Sequence, residues 1–232
     1  MNTYVDEIFC ISIDKNIKRR EYARYYFSKL NIQAKFFIVE KHMRGGLYGC
    51  FNSHITIIKY AYKKNYDKIL IFEDDFMPTA SYSNINLEKV FNFINNNNNW
   101  DCFYLGYSCF KHNKNLLFSK PITKEIFQYN PLNTHAIIYN RNSMKKILDN
   151  YENYIGKVHY DIFLANCLNL NNYCYLPLMF EQNYSLNYDI EPCNFIENII
   201  KLLYPLIFTF NFNYYCSIII YLIYKHFYFL IS

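Results

Sequence analysis

Gly49 to Pro78, G-C-F-N-S-H-I-T-I-I-K-Y-A-Y-K-K-N-Y-D-K-I-L-I-F-E-D-D-F-M-P, reads as helix, turn, buried strand and then acid. Phe51, Ile55, Ile58 and Tyr62 make one apolar stripe at helical spacing, with Cys50, His54, Ile57 and Ala61 on a neighbouring stripe. Lys68 to Phe72 is a short isoleucine-rich run bounded by the polar Lys63 to Asp67, too short for an independent helix, so it predicts a buried strand. Glu73, Asp74 and Asp75 follow at its carboxyl end. Side chains on extended backbone alternate, which predicts Glu73 and Asp75 on one side and Asp74 on the other. Three carboxylates this close repel one another, and a divalent cation with a preference for oxygen is the usual way such repulsion becomes useful.

Outward from this stretch the same alternation continues. Glu7 to Ile13 (E-I-F-C-I-S-I) predicts a strand that turns at Asp14-Lys15-Asn16 into a helix over Lys18 to Leu30. Ala34 to Glu40 predicts a second strand, and Lys41 to Tyr48 a polar loop in which Gly45 and Gly46 permit unusual backbone shapes. The G-x-G-x-x-G fingerprint is absent. Downstream come an amphipathic helix around Leu87 to Ile94, an asparagine loop at Asn95 to Asn99, and a strand at Trp100 to Gly106. Lys111 to Lys120 reads as a polar loop suited to facing an acceptor. Thr134 to Tyr139 predicts a strand leading into a helix that starts near Asn142-Ser143, either of which could cap it. Asp161 precedes the apolar helical run within Lys157 to Cys167.

At 232 residues with 52% hydrophobic and 21% aromatic content, the chain can bury one large α/β core and is not a disordered segment. A net charge of +5, scattered as pairs such as Arg19-Arg20 and Lys145-Lys146, forms no basic stripe and argues against nucleic acid as a partner. The eight cysteines show no C-x-x-C pair and no zinc-finger spacing, so they read as mostly reduced core residues. The amino terminus lacks the pattern of a secretory signal, and with free thiols this leads to the expectation of a cytoplasmic protein. The natural division is a catalytic domain over 1–198 and a hydrophobic tail over 199–232. Leu202 to Tyr224 carries no charge, but Pro205, Asn211 and Asn213 interrupt it. A peripheral membrane dock is therefore expected in preference to a clean span, with packing on the core as the alternative.

The combination of G-C-x-x-S-H (Gly49, Cys50, Ser53, His54) with a hydrophobic strand ending in E-D-D resembles glycosyltransferase family 25, which includes lipooligosaccharide sugar transferases and procollagen galactosyltransferases. Further similar elements are the turn from Asp14 to Arg19-Arg20, the D-x-x-Y-L-G-like stretch ending at Gly106, and a V-D-x-F-L-like element at Asp161. His135 departs from the family's T-x-A-Y-x-x-S pattern. The resemblance implies a GT-A-type α/β fold with a mixed central sheet flanked by helices. It also implies a nucleotide-sugar donor, UDP-linked with galactose as one candidate sugar, and a hydroxyl of a glycan or glycoconjugate as acceptor. Its acidic cluster would hold Mn2+ or Mg2+ against the donor diphosphate, with Glu73 and Asp75 as ligands. Ser12, Asp14, Arg19, Ser53, His54, Glu73 and Asp74 become the donor-binding candidates. Some have a plainer reading as well: Arg19 and Arg20 as an exposed helical pair, His54 as a satisfied core histidine, and the acids as a solvated turn.

Displacement at an anomeric carbon with inversion needs a carboxylate opposite the leaving nucleotide. Asp161 is the candidate base, and capping of the helix that follows is its other reading. Two rival functions stand beside this one. A phosphoacceptor receiver domain places its paired acids after the first strand, whereas here they close a later one. A catalytically silent, membrane-associated binding protein on the same fold is the other; intact acids and an intact Asp161 weigh against it.

Overall fold

The computed structural model describes residues 1–108, 120–183 and 185–186. Its elements, in order, are β1 (Glu7–Ile13), α1 (Ile17–Lys29), β2 (Lys35–Val39), α2 (Gly46–Lys63), β3 (Lys68–Glu73), β4 (Phe76–Pro78) and α3 (Asn84–Asn96). They continue through β5 (Cys102–Ser108), β6 (Lys120–Pro121), β7 (Ile126–Gln128), β8 (Leu132–Asn140) and α4 (Arg141–Asn150). The last are a short helix α5 (Tyr160–Ile162) that runs into a wide helical turn at Phe163–Cys167, then β9 (Asn172–Tyr175) and β10 (Phe180–Gln182). The sheet order is β2-β1-β3-β8-β5-β9-β7-β6, with β10 beside β5 and also paired to β4. β1 runs parallel to both β2 and β3, while β8 is antiparallel to β3 and β5, so the sheet is mixed as expected.

Strand alternation divides the core in two. Leu70 and Phe72 of β3 face one side, where Ala23 and Phe27 of α1 and Leu87, Val90, Phe91 and Ile94 of α3 cover them. Ile69 and Ile71 face the other, under Phe51, Ile55 and Ile58 of α2 and Met144 and Ile147 of α4. Each of these large side chains contributes about 1.5–3 kcal/mol when fully removed from water, which is why both faces of the central strands read as near-continuous hydrophobic runs. Gly106 is needed where β10 crosses β5, because a Cβ there would sit 2.9 Å from the Cβ of Phe180.

Several boundaries differ from those expected. α2 begins one turn earlier, at Gly46, because Gly45 adopts φ +86 and starts the helix itself; Gly46 to Tyr48 are helix and not loop. Asn95 and Asn96 complete α3 instead of opening the loop, on a helix capped by the Ser83 side chain. The cap of α4 is Asn140, not Asn142 or Ser143, its side-chain oxygen accepting the Ser143 N–H at 2.7 Å. Cys10, Cys102 and Cys174 are buried and, with Cys50 and Cys167, free. The expected acceptor-facing loop falls almost wholly outside the described residues, and the tail beyond 198 lies entirely outside them. Among the described residues no helix is long and apolar enough to cross a membrane.

Candidate active site

β3 delivers Glu73 to the carboxyl edge of the parallel strands, the place where open α/β sheets bind ligands. Because β8 is antiparallel and Phe72 lies opposite Ala136, the start of β8 reaches the same edge, and Thr134 and His135 meet Glu73 there. The Thr134 hydroxyl donates to Glu73 Oε1 at 2.5 Å. His54 Nε2 of α2 lies 3.6 Å from Oε1, and His135 Nδ1 lies 3.9 Å from Oε2. Burial acts to raise the Glu73 carboxyl, but the His135 and His54 imidazoles beside it outweigh that and hold the group well below the usual carboxylate range.

After Glu73 the chain turns, so the alternation that would have put Asp74 on the opposite side stops. Both aspartates meet the same guanidinium: Arg19 Nη2 is 2.5 Å from Asp74 Oδ1 and 2.8 Å from Asp75 Oδ2. The expected separation of Asp74 is thus corrected, whereas the pairing of Glu73 with Asp75 is observed. Burial pushes the Asp74 carboxyl up to about 6, against the pull of Arg19 and the Ser12 hydroxyl. Gln182 of β10 donates to Asp75 Oδ2 at 2.9 Å, and the Asn183 N–H donates to the Asp75 carbonyl at 2.7 Å. Asp75 Oδ1 remains buried without a hydrogen-bond partner, in a residue 5% exposed. One ligand atom each from Glu73, Asp75 and His135 lies within 4.8 Å of the others. Two carboxylates, one imidazole and an unsatisfied oxygen fit a divalent cation of the Mn2+ or Mg2+ kind.

The remaining expected residues sort unevenly. Ser12 is buried beside Asp74. The arginines are not an exposed pair: Arg19 holds the aspartates, and buried Arg20 ties the β1–α1 turn by donating to the carbonyls of Ile13 and Asp14. Asp14 itself is exposed. Ser53 donates to the Gly49 carbonyl at 2.7 Å, a bond within its own helix. His54 is wholly buried and stacks on Tyr160, with ring centroids 4.3 Å apart. Asp161 is not the cap of α5, a position that His159 occupies. Its Oδ2 accepts the N–H of Asn133 at 3.0 Å and its Oδ1 that of Ile162 at 2.8 Å. Asn133 has φ 63, a left-handed conformation that asparagine tolerates, and so places its N–H toward α5. Burial, then the negative charges of Glu73, Asp161 and Asp75, push the Cys50 thiol well up.

Sequence reading passed over Thr134 and Gln182, and took His135 only as a departure from a pattern. The available signal for His135 was alternation: Ile137 faces the α2 side of the sheet, so His135, two residues earlier, faces it as well.

The profile of glycosyltransferase family 25 (LPS biosynthesis protein) matches residues 38–164, more than half of the chain and all of the stretch from α2 to Asp161. The chain belongs to this family and is a glycosyltransferase. A search of curated proteins finds no match. Among solved structures it is similar to a protein from STIV (TM-score 0.47, 12% identity, 81% of this chain and 97% of that one). It is also similar to a glycosyltransferase involved in glycosylation of the major capsid of PBCV-1 (TM-score 0.47, 13% identity, 79% and 96%). A third is a Drosophila β-1,4-galactosyltransferase 7 in complex with manganese, UDP-Gal and xylobiose (TM-score 0.43, 10% identity, 83% and 79%).

Proposed function

We propose that this glycosyltransferase moves a sugar, with galactose as one candidate, from a UDP-linked donor to a hydroxyl of a glycan or glycoconjugate, with inversion and with the help of Mn2+ or Mg2+. The observation that carries the reading is the convergence of one ligand atom each from Glu73, Asp75 and His135 within 4.8 Å of one another, in a site where Asp75 Oδ1 is buried without a hydrogen-bond partner. Glu73 and Asp75 would hold the cation, with His135 as the third ligand. A cation there neutralises the charge that develops on the departing diphosphate. Arg19 orients Asp74 and Asp75 and offsets their mutual repulsion, and Gln182 fixes the Asp75 carboxylate from the other strand. Ser12, which lies beside Asp74, is a proposed donor contact together with Asp74, with Asp14 of the β1–α1 turn and with Ser53 and His54 of α2.

Asp161 is the proposed base. Its two backbone hydrogen bonds fix the carboxylate, and each oxygen keeps a second lone pair with which to accept the proton of the acceptor hydroxyl. The catalytic unit is residues 1–198; the tail over 199–232, uncharged from Leu202 to Tyr224, makes peripheral membrane contact. Calorimetry of UDP with Mn2+, followed by a panel of UDP-sugars read out as donor hydrolysis, tests the donor and metal. UDP binding that is indifferent to Mn2+ and Mg2+ refutes the metal role. Truncation after Asn198 tests the tail: a soluble, active product that no longer floats with liposomes supports the dock, and an unfolded product overturns it.

A further inference from the structure

Glu73 faces two ways. Its Oε2 lies 3.9 Å from His135 Nδ1, and its Oε1 lies 3.6 Å from His54 Nε2. On that second side one ligand atom each from Cys50, His54 and Glu73 lies within 4.8 Å of the others. Cys50 and His54 are one helical turn apart on α2, so thiol and imidazole project from one stripe toward the end of β3. His54 is 0% exposed, yet neither of its ring nitrogens makes a hydrogen bond. A neutral imidazole carries one donor and one acceptor, and leaving both unmade in the interior is costly unless something else engages them. Stacking on Tyr160 accounts for the ring face; Glu73 Oε1 faces Nε2 at 3.6 Å without closing a hydrogen bond, and Nδ1 has no hydrogen-bond partner.

We infer that Cys50, His54 and Glu73 form a second cation site, selective for a thiophilic divalent ion of the Zn2+ class, that shares Glu73 with the oxygen-rich set. Thiolate, imidazole and carboxylate are a zinc donor set, whereas Glu73, Asp75 and His135 suit harder ions. On binding, Cys50 releases its thiol proton to solvent and Sγ forms the coordinate bond, with no change of oxidation state. Three protein ligands leave one position open to water. Two dications on either side of one carboxylate repel, and Glu73 cannot serve both fully, so Zn2+ at this site antagonises Mn2+-dependent donor binding. That consequence rests on the proposed metal reading; the site itself does not.

Co2+ is the probe, added to the full-length chain. The expected result is a near-ultraviolet thiolate-to-cobalt charge-transfer band that saturates at one equivalent and is displaced by Zn2+. Asp75→Asn should keep the band and Cys50→Ser should lose it, with circular dichroism confirming that each variant is folded. Calorimetry should show Zn2+ affinity reduced at least about tenfold in Cys50→Ser. Absence of the band in the folded wild type overturns the site, as does an undiminished band in Cys50→Ser, which would assign it to another of the cysteines. Mn2+-dependent UDP binding is measured in the same preparations. A cobalt band without Mn2+-dependent UDP binding leaves the soft site standing and removes the proposed donor chemistry, whereas intact UDP binding without a band removes the soft site alone.

Discussion

Asp101 and Asp75 are both buried acids, 1% and 5% exposed, and they do opposite things. Asp101 sits at the entry to β5 with every oxygen engaged: Oδ1 accepts from the Asn142 side chain at 3.0 Å, and Oδ2 accepts from Lys146 at 2.7 Å and from the Asn171 N–H at 2.8 Å. It joins α4, β5 and the approach to β9, and neither carboxylate oxygen is without a protein donor. Asp75 has one oxygen clamped by Arg19 and Gln182 and the other open. Burial alone does not separate an architectural acid from a ligand-binding one. The unsatisfied lone pair does, since the interior penalises it unless a partner arrives.

Substitution can break this contrast directly. Asp75→Asn removes the charge and keeps the shape, so Mn2+-dependent UDP binding should be abolished while far-ultraviolet circular dichroism stays native; calorimetry that finds unchanged affinity would remove Asp75 from the metal site. Asp161 lies between the two extremes, since both of its oxygens accept backbone N–H groups and still have capacity. Asp161→Asn should retain UDP and metal binding but lose transfer by roughly two to four decades. Normal transfer together with a lower Tm would make it a purely structural link between Asn133 and α5. Asp101→Ala should do the reverse of Asp75→Asn: it orphans Lys146, Asn142 and the Asn171 N–H, costs about 3–5 kcal/mol in urea unfolding, and leaves the donor affinity of the folded fraction unaltered.

The same contrast explains what could be read in advance. β1, β2 and β3 were legible because their partners are close in sequence and their apolar runs are unbroken, and the acids at Glu73 to Asp75 were legible because they stand together. β4, β9 and β10 were not, since three or four residues carry no periodicity and their pairing spans long separations, as between Gln182 and Asp75. His135 and Thr134 meet Glu73 only through the antiparallel register of β8, which no local pattern encodes. The side assigned to Asp74 failed for a related reason: alternation holds along a strand, and the strand ends at Glu73.

The smallest expected effects concern the start of α4, where three adjacent polar residues separate by the bonds they make. Asn140 caps the helix through the Ser143 N–H and also donates to the Trp100 carbonyl at the edge of β5. Asn140→Ala should therefore cost about 1–2 kcal/mol, the upper part of the range for a lost cap. Asn142, one of the two caps expected from the sequence, bonds Asp101 instead, so Asn142→Ala should cost about 1 kcal/mol, by withdrawing one of three donors from a buried carboxylate. Ser143 is the other expected cap. It is fully buried, but its hydroxyl donates to a carbonyl in its own first turn, so replacement by alanine, which favours the helix, should change stability by no more than about 0.5 kcal/mol. Urea midpoints for the three variants should fall in that order. If Ser143→Ala were the most damaging, the cap would be Ser143, three residues later, and the anchoring of Asp101 by the first turn of α4 would have to be redrawn.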